Sequence, residues 1–196
     1  AGASGGKVGE GCVGAGVGTV CYGFKGGIGT ASRRILDGRY TVGTLLQTNF
    51  GSTSELQILG APIGQYFADN PPHQPDGSVM IVIATDAPMT SRQLERMAKR
   101  ASFGLGRTGT ICHNGSGDFV IAFSTQNRRA HDSQEIINQV EILNEEGLRE
   151  RGTVIDECFR AVVECVEESV YNALVSAQTI TGRDDHIYHA LPHDKL

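Results

Sequence analysis

DGSVMIVIATDAP (residues 76–88) is the stretch that decides the fold, because a loop meets a strand there at a hydroxyl residue, Ser78. The loop lies within residues 51–77, which hold four of the six prolines and predict a linker. Residues 79–85 are almost continuously apolar and predict a buried strand that is covered on both faces. Ser78 is therefore expected at the start of an interior strand.

Ser78 has the chemistry of an N-terminal nucleophile if the bond that precedes it is cut. Cleavage between Gly77 and Ser78 would give Ser78 a free α-amine beside its own hydroxyl, so that nucleophile and base reside on one residue. Gly77 has no side chain to obstruct attack on its carbonyl. The sequence therefore predicts self-cleavage at this bond and catalysis by Ser78.

The segments around this junction predict an α+β fold in which helices cover a sheet. Asp37-Gly38 is typical of a tight hairpin turn. A strand over 40–50 would place Asn49 and Leu45 on the face opposite Val42 and Leu46. The other expected elements are a strand over 17–24, a turn over 25–30, a helix from Thr90 or Ser91 to about Phe103 that Gly104 ends, a strand over 119–124, a loop or short helix over 133–147, and a helix over 154–178. The last helix is expected to bury an apolar stripe made of Ile155, Cys158, Phe159, Val162, Val166, Val170 and Leu174.

Composition favours one soluble domain. The chain has 196 residues and a net charge of −5, which disfavours nucleic acid as a partner because phosphate binding needs clustered basic residues. No apolar stretch is long enough to cross a membrane. The five cysteines have no CxxC spacing and favour reduced thiols and a cytoplasmic location. The chain begins at Ala1 without a methionine or a signal peptide, which indicates a processed piece or a fragment.

Several short motifs favour other functions only weakly. Residues 9–14 and 104–109 match G-x-G-x-x-G, but neither has the strand before and helix after that dinucleotide binding needs. Cys112-His113 is interpreted as chance adjacency, because a Cys/His pair is normally assembled from distant segments. His186, His189 and His193 fit a solvated tail better than a metal site. We expect no metal and no cofactor.

Three further polar residues are candidates for the site. Ser116 and Asp118 precede the strand over 119–124 and would lie on the same side of an extended chain, although a polar turn is the simpler interpretation of these two alone. Asn49 at a strand end is either a cap or a donor to an oxyanion.

Together these segments resemble the family of the L-aminopeptidase/D-Ala-esterase-amidase and its β-peptidyl aminopeptidase relatives. The resemblance is carried by the following stretches: GEGCVGAGVGTVCYGFKGGIGTASR (9–33), GTLLQTNFG (43–51), DGSVMIVIATDAP (76–88), SRQLERMAKRASFGLGRTG (91–109), GSGDF (115–119) and GRDDHIYHALP (182–192).

The resemblance implies a layered α/β/β/α-type sandwich, of the kind shared with ornithine acetyltransferases, made as a self-cleaving precursor. Residues 1–77 would be the C-terminal part of the α-chain and residues 78–196 the β-chain, both in one structural domain. Ser78 would be the nucleophile, Ser116 and Asp118 would position its amine, and Asn49 would donate to the oxyanion. Short peptides, amides or esters with small N-terminal residues such as L- or D-Ala and Gly would be substrates, and a homo-oligomer is expected.

Two departures from the family pattern matter. Family members carry a long segment upstream of the glycine-rich stretch, so the other half of its own precursor is an expected partner of this chain. Some relatives have glutamate where Asp118 stands, and aspartate is one methylene shorter. Three alternatives stay open: a β-peptidyl aminopeptidase, an acyltransferase of the ornithine acetyltransferase type, which would use threonine as nucleophile, and a non-catalytic fragment.

Overall fold

A computed structural model describes residues 5–67 and 77–195 of the chain. The strands are β1 (Val20–Cys21), β2 (Phe24–Lys25), β3 (Ile28–Ile35), β4 (Tyr40–Gln47), β5 (Met80–Thr85), β6 (Phe119–Ser124), β7 (Leu148–Arg149), β8 (Gly152–Thr153), β9 (Ile180–Thr181) and β10 (Ile187–Tyr188). The α-helices are α1 (Ser91–Ala98), α2 (Ala101–Arg107) and α3 (Val154–Val175). Short 3₁₀ turns occupy Gly14–Gly18, Thr53–Glu55, Ile63–Phe67, Arg183–Asp185 and His193–Lys195.

A four-stranded sheet in the order β3-β4-β5-β6 is the centre of the fold. The pairs β3/β4 and β4/β5 are antiparallel, whereas β5 and β6 are parallel. The β3/β4 hairpin turns at Asp37 and Gly38, which both have positive φ, and this confirms the turn predicted there. Helices α1 and α2 lie between β5 and β6 in the chain and form the crossover that a parallel pair requires.

Helix α3 covers one face of this sheet and makes the core. The predicted apolar stripe is confirmed, since Val162, Val166, Val170 and Leu174 are fully buried. The helix approaches β3 closely at Gly29, where a β-carbon would lie 1.8 Å from the carbonyl oxygen of Ser169. This close approach explains a glycine at the second position of β3.

Among residues 5–67 and 77–195, nothing covers the opposite face of the sheet, which is called the open face here and which corrects the prediction that β5 is covered on both sides. Met80 is 45% exposed while Ile81 and Ile83 are buried, so the strand alternates in burial despite its continuous apolar sequence. Strand β6 alternates as well, with Phe119 and Ile121 exposed. A run of apolar residues indicated burial, but it did not show what covers each face.

The helix predicted from Thr90 to about Phe103 is two helices, and Gly104 does not end it. Thr90 caps α1, and its side chain accepts a hydrogen bond from the backbone N–H of Gln93. Gly104 lies inside α2. A β-carbon there would come within 2.7 Å of the Val163 carbonyl oxygen on α3, so no larger residue fits. Close helix packing therefore requires the glycine that the sequence presented as a stop signal.

The strand predicted over 17–24 is a 3₁₀ turn followed by the short β1/β2 hairpin, because Tyr22 and Gly23 take positive φ between the two strands. The turn predicted over 25–30 is also wrong, since Lys25 belongs to β2 and β3 begins at Ile28. The loop predicted over 133–147 has no helix or strand. Residues 69–76 of the loop before Ser78 lie outside the described residues. Among the helices of the described chain, none is long and apolar enough to span a bilayer.

Candidate active site

Sheet topology brings the candidate residues to one edge. Asn49 follows β4, whereas Ser78 precedes β5 and Asp118 precedes β6. Because β5 runs antiparallel to β4 and parallel to β6, the carboxyl end of β4 and the amino ends of β5 and β6 meet at the same edge. Residues that are 29 and 40 positions apart in the chain thus become neighbours in space.

Ser78 is held on both sides by hydrogen bonds. Its backbone N–H donates to the backbone carbonyl of Asn49 at 2.6 Å. The next residue, Val79, donates its N–H to Oδ1 of Asp118 at 3.1 Å. The Ser78 side chain is half-buried, so its hydroxyl is fixed in place and still reachable from solvent.

Asp118 and Ser116 form a bonded pair beside Ser78. Ser116 donates its hydroxyl to Oδ1 of Asp118 at 2.6 Å, and the same oxygen accepts the Val79 N–H. The turn that carries Ser116 is closed by its own N–H, which donates to the His113 carbonyl at 2.8 Å. The structure therefore brings together all four residues singled out by the sequence: Ser78, Asn49, Ser116 and Asp118.

The backbone N–H of Gly117 is a donor that sequence reasoning missed. It lies 3.2 Å from Ser78 Oγ and 3.3 Å from the Gly77 carbonyl oxygen, so it points at both the hydroxyl and the carbonyl of the junction. A β-carbon on Gly117 would lie 3.2 Å from Ser78 Oγ. The glycines on either side of Ser116 were the available signal, but a backbone donor has no side-chain type to reveal it.

Asn49 is oriented by the hydrogen bonds that its backbone and side-chain oxygens accept. Its backbone oxygen accepts from Ser78, and its Oδ1 accepts the Val20 N–H at 3.3 Å. Because Oδ1 faces a backbone donor, the amide is fixed in one of its two flip states, and Nδ2 carries the two side-chain donors.

Gly77 is tightly enclosed. A β-carbon there would lie 1.9 Å from the backbone oxygen of Asn49, so any other residue would push the junction away from β4. The lack of a side chain matters for packing as well as for access to the carbonyl.

Cys112 and His113 do not form a nucleophile–base pair. The His113 ring Nε2 lies 2.8 Å and 3.0 Å from the two carboxylate oxygens of Glu55. Burial, together with the nearby Asp118 carboxylate, raises the pKa of the Cys112 thiol, which keeps it protonated and a weak nucleophile. The interpretation of the Cys112-His113 dipeptide as chance adjacency stands.

No group of metal-ligating side chains in residues 5–67 and 77–195 is arranged to hold a metal ion. His186 follows a 3₁₀ turn in the exposed C-terminal segment and His189 lies just beyond β10, with no third ligand gathered around them in the described chain. The chemistry available at the sheet edge is that of a hydroxyl, a carboxylate, an amide and backbone donors.

The model of peptidase family S58 matches residues 1–188. The chain belongs to this family. The match spans the glycine-rich start, the junction at Ser78 and the turn that carries Ser116, so every segment that builds the site lies within it.

Characterised relatives agree with this membership. The chain is 42% identical to the beta-peptidyl aminopeptidase BapA of Sphingosinicella microcystinivorans, with 99% of the chain and 52% of the relative covered. The L-aminopeptidase D-Ala-esterase/amidase of Ochrobactrum anthropi superposes with a TM-score of 0.86 at 41% identity, over 97% of this chain and 52% of that one. It is described as a prototype of the serine aminopeptidases with a variant of the Ntn hydrolase fold.

A beta-aminopeptidase of a Burkholderia species gives a TM-score of 0.83 at 36% identity, over 97% of this chain and 53% of that one. At these identities the mixed α/β architecture of the chain is that of the Ntn hydrolase relatives. The chain spans about half the length of the relatives it matches.

Proposed function

We propose that this chain forms the catalytic part of a self-processing serine aminopeptidase with Ser78 as its N-terminal nucleophile. The observation that carries the proposal is the convergence of Ser78, Asn49 and the Ser116–Asp118 pair at one sheet edge, with a backbone donor aimed at the Gly77 carbonyl. A hydroxyl with a built-in amine, oxyanion donors and a carboxylate are the parts that acyl transfer requires.

Self-cleavage would begin with the Ser78 hydroxyl. Its Oγ attacks the Gly77 carbonyl carbon, the hydroxyl proton passes to the Ser78 nitrogen, and the carbon–nitrogen bond breaks to leave an ester and a free amine. Water then hydrolyses the ester and releases the Gly77 carboxylate and the Ser78 hydroxyl. The Gly117 N–H, at 3.3 Å from the Gly77 oxygen, is placed to stabilise the negative charge that develops there.

Hydrolysis of substrate would use the same hydroxyl with the new amine as its base. An α-amine has an unperturbed pKa of about 7.7–8.0, close to working pH, so it can take the hydroxyl proton. Asp118 and Ser116 would position this amine, since Asp118 Oδ1 already binds the N–H of the adjacent Val79. Asn49 Nδ2 and the Gly117 N–H would stabilise the oxyanion until water releases the acyl-enzyme.

Short peptides, amides or esters with a free N-terminal amine and a small first residue, L- or D-Ala or Gly, are the proposed substrates. A second candidate, hydrolysis of peptides with an N-terminal β-amino acid, is favoured by the 42% identity to a beta-peptidyl aminopeptidase. The site makes no use of a metal or cofactor in either case.

A second layer would complete the sandwich on the open face of the sheet. Phe119 and Ile121 are 62% and 60% exposed there, and relatives about twice as long supply the chain to cover such side chains. Residues 1–77 would then be the C-terminal part of the α-chain and residues 78–196 the β-chain, both in one structural domain. The rest of the precursor would complete the α-chain, and the processed protein would assemble into a homo-oligomer.

Mass spectrometry under denaturing conditions tests the proposal. We expect one fragment that ends at Gly77 and one that begins at Ser78, and an electrophilic serine reagent should label the Ser78 peptide. Ser78→Ala should remain uncut and inactive, while Ser32→Ala, at an exposed position of β3, serves as the control. An active preparation with an intact chain would contradict the scheme. Product analysis with water and with added amines as acceptors separates hydrolysis from acyl transfer.

A further inference from the structure

Lys25 is a buried cation that the proposed mechanism does not use. The residue is only 2% exposed, although it belongs to the short strand β2 near the chain's surface loops. Its ammonium donates to the carbonyl oxygens of Gly16 at 2.8 Å, Thr19 at 2.7 Å and Gly26 at 2.8 Å. Three acceptors need three donors, and only the charged form of lysine has them.

The charge of Lys25 has no carboxylate partner within salt-bridge distance among residues 5–67 and 77–195. Burial lowers the pKa of its ammonium, as desolvation does for any buried lysine. Burying a charge costs free energy that an apolar side chain of similar volume avoids. Packing alone therefore does not account for a lysine at this position.

The three carbonyls belong to one continuous segment, residues 16–26, and the ammonium that binds them closes this segment into a loop. Gly16 lies in the 3₁₀ turn Gly14–Gly18, Thr19 follows that turn, and Gly26 follows β2. The Lys25 ammonium thus lies inside a ring of these three backbone oxygens. These hydrogen bonds connect the glycine-rich turn Gly14–Gly18 to the β1/β2 hairpin.

The closed loop is fastened to the segment that carries Asn49. Gly27 donates its N–H to Thr48 Oγ1 at 2.9 Å, and Tyr22 donates its N–H to the Phe50 carbonyl at 2.8 Å. Asn49 lies between these two anchors, and its Oδ1 receives the Val20 N–H. Val20 directly follows Thr19, whose carbonyl is bound to the Lys25 ammonium.

We propose that Lys25 is a positioning residue that sets the orientation of the Asn49 side-chain amide through Thr19 and Val20. The Thr19 carbonyl and the Val20 N–H are the two ends of one planar peptide unit, so the ammonium that holds the carbonyl also aims the N–H at Asn49 Oδ1. With Oδ1 held by the Val20 N–H, Nδ2 is left as the side-chain donor of Asn49. The proposal rests on the proposed function, in which Nδ2 stabilises the oxyanion.

A double-mutant cycle in the intact protein tests this link. The variants are Lys25→Met, Asn49→Ala and the two combined, with Lys99→Met at an exposed lysine on the protein surface as the control. Removing an oxyanion donor typically lowers kcat by about 10²–10³-fold, and we expect a loss of that size for Asn49→Ala. Lys25→Met should lower kcat by about tenfold to a hundredfold with KM little changed. In the Asn49→Ala background the same substitution should lower kcat by less than about twofold.

The same cycle is read with a peptide aldehyde, which forms a tetrahedral oxyanion on the serine, and with an uncleavable substrate analogue, which does not. Lys25→Met should weaken binding of the aldehyde and leave binding of the analogue unchanged, because only the aldehyde oxyanion uses Asn49 Nδ2. A lysine with a purely structural role would lower activity equally in both Asn49 backgrounds, and that result overturns the proposal.

Lys25→Arg keeps the experiment decisive if Lys25→Met does not fold. Its larger planar head retains the charge but cannot occupy the same ring of three carbonyls, so the same Asn49-dependent loss is expected. An unchanged kcat in the folded lysine variants overturns the inference while leaving the proposed function intact. An inactive wild-type protein would instead count against the proposed function itself.

Discussion

One face of the four-stranded sheet is covered by α3, whereas the other face exposes large apolar side chains. On the covered face, Leu46, Ile81 and Ile83 are buried to within 1% of full burial. On the open face, Leu45 is 37% exposed and Ile121 is 60% exposed. The two faces are made of similar residues, so composition does not distinguish them.

The candidate site belongs to the open side. Strand alternation from Val82 and Met80 places Ser78 on the open face, and alternation from Leu45 places Asn49 there too. The covered face therefore holds the buried core, and the open face holds the residues of the proposed catalytic site. Substitutions on the two faces are expected to separate these roles.

The largest expected effect is on the open side, at Asp118. Asp118→Ala removes the acceptor of the Val79 N–H and of the Ser116 hydroxyl, so the proposed Ser78 amine would lose the group that positions it. We expect kcat to fall by about 10²–10⁴, the range typical of a lost acid–base partner, with little change in the unfolding midpoint. Asp86→Ala, at the opposite end of β5, is the control and should leave kcat within about twofold. A wild-type kcat for Asp118→Ala would remove Asp118 from the site.

The covered face should protect its thiols from alkylation. Burial raises the pKa of Cys158 to about 12 and that of Cys165 to about 12, so both stay protonated at about pH 8. A rise from about 9 lowers the thiolate fraction about a thousandfold. Iodoacetamide labelling read by mass spectrometry should modify the partly exposed Cys12 first, and Cys158 and Cys165 only after unfolding in guanidinium chloride. Rapid labelling of Cys165 in the native protein would show that α3 does not seal this face.

Substitutions of Leu46 and of its neighbour Leu45 allow the two faces to be compared within one strand. Leu46→Ala removes a fully buried side chain and should lower the free energy of unfolding by about 2–5 kcal/mol. Leu45→Ala, on the open face, should change it by about 0.5 kcal/mol or less. Denaturant unfolding of both variants measures the difference, and equal losses would mean that both faces are covered.

The smallest expected effect is that of Ile121→Thr on the open face. In a chain of residues 1–196 we expect the free energy of unfolding to change by about 0.5 kcal/mol or less, because the side chain is mostly in water. Self-association should weaken as the apolar patch shrinks. Light scattering and denaturant titration measure the two quantities, with Ile83→Thr on the covered face as the destabilising counterpart. A loss of several kcal/mol for Ile121→Thr would show that this face is not open.

Periodicity made much of this fold predictable. The apolar stripe of α3 repeats at helical spacing, and the hairpin at Asp37-Gly38 has a strong local signal, so both are where the sequence placed them. The break between α1 and α2 and the packing role of Gly104 were not predictable, because they depend on how closely α3 approaches. Local propensity carries no information about a neighbouring helix.

The candidate site divides in the same way. Ser78 and Asp118 stand beside strand starts and were recognisable as residue types. The Gly117 N–H and the Val20 N–H were not, since every residue but proline has such a group and only its direction matters. Lys25 lay in a segment read as a turn, and nothing local indicated that its ammonium is enclosed.

The sequence by itself determined which residues are candidates for the site and which segments form the sheet and its covering helix, because side-chain type and periodicity are local properties. Tertiary structure alone decided that β4, β5 and β6 present Asn49, Ser78 and Asp118 at one edge, and that Lys25 is buried. Strand order and burial depend on contacts between residues far apart in the chain, and no local pattern encodes those contacts.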